Sequence, residues 1–146
     1  MRATEKAASP IKRVVVKADK AEPAAPPPPT LHATIDLTHQ RMTVAIGGET
    51  VHTWKISSGR AGYETPRGRF RPQWMARSWY SRKYDLAPMP YSVFFNGGIA
   101  THGTTSTRLL GRPASHGCVR LAPGNAARLY SLVSSNRSNT RIIVTH

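Results

Sequence analysis

Strict alternation of apolar and polar residues begins at Leu31. Leu31, Ala33, Ile35 and Leu37 are separated by His32, Thr34, Asp36 and Thr38, the period-two signature of a strand with one buried face. Met42, Val44 and Ile46 repeat the pattern after a short turn, and Gly47-Gly48 then signals a hairpin. Val51 to Ile56 reads as the returning strand. Pro66 and Gly68 punctuate the next stretch, which enters a strand near Phe70. Tyr91 to Phe95 is a compact strand ended by Asn96-Gly97, with Ile99 to His102 as its partner, and Arg141 to Val144 is a last β-branched run. Helical spacing is found once, over 125–133, where Ala126, Leu129, Leu132 and Val133 share a face behind Pro123, a residue suited to a helix entrance. Many short strands and one helix predict a mostly β fold, an antiparallel sandwich or barrel with a covering helix.

Composition divides the 146 residues in two. Residues 1–30 hold six of the twelve prolines, lack aromatic residues, and apart from Met1 carry only Ile11 and Val14 to Val16 as larger apolar side chains. Such a segment buries too little apolar surface to offset its chain entropy, so a disordered linker is expected there, with an extended polyproline run over Pro26 to Pro29. Three valines are too short for the apolar core of a secretion signal, roughly 7–15 residues. Residues 31–146 then form one domain. They carry 15 of the 21 basic and 4 of the 7 acidic residues, so the net charge of +14 is not a tail effect. No apolar run approaches the roughly 20 residues of a membrane-spanning helix, and no integral membrane contact is expected. A single cysteine, Cys118, excludes an intrachain disulfide framework and any multi-cysteine zinc site.

That thiol lies in the segment richest in chemistry, Ala100 to Leu121, with two histidines, three glycines and three arginines around it. A lone cysteine in a small domain is usually a buried hydrophobe. Here, however, His102 and His116 are both available as bases, and an imidazole that takes the thiol proton leaves a thiolate–imidazolium pair. Gly117 lets a substrate carbonyl approach the backbone, where the amides of Gly117 and Cys118 could face a developing oxyanion. Arg120 offers a planar fork suited to a carboxylate.

Ser115-His116-Gly117-Cys118-Val119-Arg120, with His102-Gly103-Thr104 upstream, resembles the signature of the YkuD-type L,D-transpeptidases. Ile35 to Met42, Ser57-Ser58-Gly59, Thr65 to Phe70 and Asn96 to Gly103 resemble other segments of that family in the same order, so the likeness spans about 31–145. It implies a β-rich catalytic domain that acts on peptidoglycan stem tetrapeptides. Cys118 would attack the carbonyl of the third residue, usually diaminopimelate, and release the following D-Ala. His102 would be the base, oriented by the carbonyl of Gly103, with the oxyanion held by Gly117 and Cys118. An amine of a second stem would resolve the thioester into a 3→3 cross-link. Attachment of a protein amine, or hydrolysis as an L,D-carboxypeptidase, are the alternative outcomes. The resemblance calls for no metal and no organic cofactor. Ser115 and His116 belong to the motif and are expected to bind substrate or shape the nucleophile loop, the chemistry of Arg120 suits it to a stem-peptide carboxylate, and the resemblance implies a periplasmic or wall-facing location.

One stretch suggests a different class. Arg60 to Lys83 interleaves seven basic residues with Tyr63, Phe70, Trp74, Trp79 and Tyr80, as a surface for single-stranded nucleic acid would. A non-catalytic polyanion-binding module is therefore the rival reading. The preferred one has no nucleic-acid partner and places a Trp/Arg-rich flap beside the cleft, facing acidic muropeptides.

Overall fold

The computed structural model describes residues 30–83 and 86–146. The linker expected over 1–30 lies almost wholly outside them. Among the described residues, nine strands form two sheets. The first has the order β3-β2-β1-β9-β4, built from β1 (Leu31–Asp36), β2 (Arg41–Ile46), β3 (Glu49–Lys55), β4 (Gly68–Phe70) and β9 (Thr140–Thr145). The second has the order β5-β6-β7-β8, from β5 (Trp74–Ala76), β6 (Ser92–Asn96), β7 (Ile99–Gly103) and β8 (Val119–Leu121).

The alternating residues of β1 and β2 behave as their pattern requires: Leu31, Ala33, Ile35, Met42 and Val44 are fully buried. Gly47 and Gly48 both take positive φ, 61° and 86°, in the tight turn that twists the β2–β3 hairpin correctly. The inner faces of both sheets share one core. Val93 and Phe95 of β6, Val119 and Leu121 of β8, and Ile142 and Val144 of β9 all belong to it.

Four features depart from the sequence expectation. The sheets are mixed, because β1 pairs with β9 in parallel and β7 pairs with β8 in parallel. Parallel neighbours need a long connection, which residues 104–118 supply between β7 and β8, while α1 (Pro123–Ser135) links β8 to β9 of the other sheet. That helix is longer than 125–133 and begins at Pro123 itself, burying Ala126, Leu129 and Val133. β5 and β8 escape the periodicity reading because each is three residues long. Tyr91 is not part of β6; it stands at φ 54° in the turn before it, its amide donating to Arg77 O.

Candidate active site

The parallel β7–β8 pair sets the site. Thr101 lies opposite Val119 and His102 opposite Arg120. One step back in the same register, Cys118 stands beside Ala100, on the sheet face that also carries His102 and Arg120. Cys118 packs against the cluster of Met89, Phe94 and Ala100, remains partly exposed, and has its Sγ 3.7 Å from Gly98 O. Met89, Phe94, Gly98 and Cys118 line a cleft of about 710 Å³ together with Trp74, Trp79 and Arg82.

His102 is 7 % exposed, and its Nδ1 bonds Gly103 O at 2.7 Å. A carbonyl only accepts, so Nδ1 carries the proton and Nε2 is left with its lone pair. The Gly103 amide in turn donates to Pro90 O, and a Cβ on Gly103 would press on Ala126, Pro123 and Pro90 at 3.4 Å. The orienting carbonyl is thus anchored by the helix entrance.

Burial lowers the His102 pKa to about 4, against a partial rise from the Gly103 bond, with Arg120 lowering it further. Burial pushes the Cys118 thiol up, opposed by the Ala100 backbone and by Arg120. Both groups are therefore neutral near pH 7. Burial thus favours a resting thiol and imidazole, because removing two charges from water costs more than the nearby polar groups return.

The loop that presents the thiol is held by side chains. Ser115 is 1 % exposed, its amide and that of Ala114 both donate to Ser58 O, and its own carbonyl accepts from Arg60 N. Its hydroxyl donates to Cys118 O and accepts from Gly117 N at 3.1 Å. Ser115 therefore shapes the nucleophile loop, its hydroxyl being committed there. The Gly117 amide is likewise occupied, so it serves an oxyanion only by exchanging or sharing that bond. Gly117 sits at φ 128°, and a Cβ there would lie 2.9 Å from Ile99 Cδ1.

Thr65 closes the loop from the other side, donating to Gly117 O at 2.6 Å and accepting from Gly59 N at 3.0 Å. Gln40 holds Ser58 through Oε1 to its amide (3.0 Å) and Nε2 to its hydroxyl (2.8 Å). The roles of Thr65, Gln40 and Ser58 were not legible in the sequence, where they stand 18 or more residues from the segment they support.

Of the two candidate bases, only His102 shares the cysteine's face in this register. His116 is exposed, accepts from Arg60 Nη2 at 3.4 Å and stands edge-on to Tyr63 at 4.9 Å. It forms the outer rim of the cleft. Arg120 is fixed through its backbone, which exchanges both hydrogen bonds with Ser57, and its side chain lines the cleft.

A partly exposed thiol and a buried, backbone-oriented imidazole thus share one sheet face of the cleft. The chain belongs to the YkuD family, the L,D-transpeptidase catalytic domain, whose profile matches residues 30–144. It is similar to a solved L,D-transpeptidase from Mycobacterium smegmatis at 26% identity, covering 81% of this chain and 59% of that one with a TM-score of 0.72. An L,D-transpeptidase from Stackebrandtia nassauensis is 29% identical over 80% of this chain and 56% of that one, TM-score 0.70. An L,D-transpeptidase in complex with imipenem is 25% identical over 80% of this chain and 59% of that one, TM-score 0.73. The chain spans about three-fifths of the length of these relatives. A comparison with curated proteins finds no match.

Proposed function

We propose that residues 31–146 form an L,D-transpeptidase catalytic domain acting on peptidoglycan stem tetrapeptides on the outer side of the cytoplasmic membrane. The observation that carries the reading is His102, buried on the sheet face that carries Cys118, with Nδ1 tied to Gly103 O and burial favouring the neutral ring. Cys118 Sγ attacks the carbonyl of the third stem residue while His102 Nε2 takes the thiol proton. Because both groups begin neutral, proton transfer and attack are coupled, and charge appears only as the C–S bond forms. The Gly103 carbonyl stabilises the imidazolium, and the Cys118 amide, with that of Gly117 after exchange from Ser115 Oγ, faces the oxyanion. On collapse the imidazolium gives its proton to the departing amine of D-Ala, leaving a Cys118 thioester. An amine from a second stem then attacks, His102 again holds the proton, and a 3→3 amide forms with the thiol restored. Arg120 suits a stem carboxylate. No step calls for a metal or an organic cofactor.

Release of D-Ala from a disaccharide tetrapeptide tests this reading. Turnover should vanish in Cys118→Ala and fall by roughly 10²–10⁴-fold in His102→Asn. D-Ala release that persists in Cys118→Ala sinks the mechanism. Product masses separate a 3→3 dimer from a tripeptide formed by water.

A further inference from the structure

The cleft extends past the thiol along a single row of side chains. Trp74 lies opposite Phe94 across β5–β6, and Phe94 opposite Ala100 across β6–β7. Ala100 is followed by Cys118 in the β7–β8 register. The row therefore reads Trp74, Phe94, Ala100, Cys118 from the sheet edge to the nucleophile. Ala100 is fully buried in that row, while Cys118, Phe94 and Trp74 line the cleft, whose far end is aromatic.

That end is rigid. The Trp74 indole stacks flat on Phe94, centroids 4.0 Å apart at 2°, and meets Trp79 edge-on at 4.9 Å and 82°. One face of Trp74 is thus occupied, yet the residue remains 37 % exposed at the edge of the sheet, within the cleft wall. An exposed indole held by two aromatic neighbours has little side-chain freedom to lose on binding. The Arg82 guanidinium lies over the Trp79 ring at 5.7 Å, which places a set of hydrogen-bond donors beside this platform.

We infer that Trp74 is a sugar-stacking subsite, taking the pyranose ring of the glycan strand that carries the donor stem. The inference rests on the transpeptidase reading and specifies the part of the substrate beyond the peptide. Three strand spacings of about 4.8 Å put the Trp74 end of the row roughly 14 Å from the thiol end. From the third stem residue's carbonyl back to the sugar, three extended residues span roughly 10–11 Å. The side-chain linkage of the second residue and the lactyl ether extend that by a few ångströms. The peptide therefore ends where the indole begins. The C–H face of a pyranose is apolar and faintly positive, the complement of the negative face of a π-system, while its hydroxyl and acetamido groups accept from a guanidinium at the rim.

Binding is measured in Cys118→Ala, so that turnover does not enter, by titrating tryptophan fluorescence with a disaccharide tetrapeptide and, separately, with the free tetrapeptide. The disaccharide ligand should bind roughly three- to tenfold tighter. Adding Trp74→Ala should bring the two ligands to the same affinity, and Trp74→Phe should keep part of the preference. Equal affinity in Cys118→Ala, or a preference that survives Trp74→Ala, overturns the subsite while leaving the transpeptidase reading in place. Failure of both ligands to bind overturns both together.

Discussion

At the scale of the residue, the proposed reaction starts from neutral groups. A His102 pKa near 4 keeps Nε2 available far below the usual histidine range, so turnover should hold as pH falls through 6.5 and fail only towards about 4. Arg120 lowers both the imidazole and the thiol. Arg120→Met should therefore move both limbs of the pH–rate profile upward, and limbs that stay in place would contradict its electrostatic role. The same burial links to stability. The unfolded chain binds a proton at His102 near 6.5 and the folded chain only near 4. Between those values acid favours unfolding, by roughly 3 kcal/mol in all. Urea midpoints of wild type should fall across that window, and those of His102→Asn should fall by less. Cys118 and His102 stood out in the sequence as candidates because a thiol and an imidazole occurred in a recognisable order, and the fold brings both to one cleft. Their charge state was not legible, since it depends on how much water the fold removes from each.

At the scale of the element, three segments distant in sequence hold one short loop. Thr65 bridges Gly59 N and Gly117 O, and Ser58 accepts the amides of Ala114 and Ser115. Thr65→Val should strand both backbone partners, costing about 1–3 kcal/mol and lowering turnover, while Thr65→Ser should restore most of both; denaturant midpoints beside D-Ala release check this. Gly117→Ala should be worse for activity, because its φ of 128° is strained for any side chain and Ile99 stands in the way. Ser57-Ser58-Gly59 and Thr65 were visible as motifs, but only the bridges from Gly59 to Ser115 and from Ser57 to Arg120 give them a task. β8 was missed for a related reason. Three residues give too little periodicity to read, and its pairing with β7 is a long-range event that local pattern does not encode.

At the scale of the whole molecule, two mixed sheets and one helix create a cleft whose one wall is chemical and whose other wall is aromatic and basic. The mostly β class and the order of the longer strands followed from alternation, while the parallel pairings did not, because alternation fixes which face is buried and not which neighbour is chosen. The net charge of +14 should concentrate anionic polymer around the protein. Raising salt should therefore slow the reaction on intact sacculi more than on a soluble muropeptide, since screening acts on the long-range field first; equal salt dependence would remove that field from the account. The central claim is that Cys118 forms a thioester with the stem. It is tested most directly by intact-protein mass after incubation with a purified tetrapeptide muropeptide, wild type beside Cys118→Ala. The expected result is an adduct equal to the donor minus D-Ala, on wild type alone. With both proteins folded and the donor verified, the absence of both adduct and product, or the same adduct on Cys118→Ala, would contradict it.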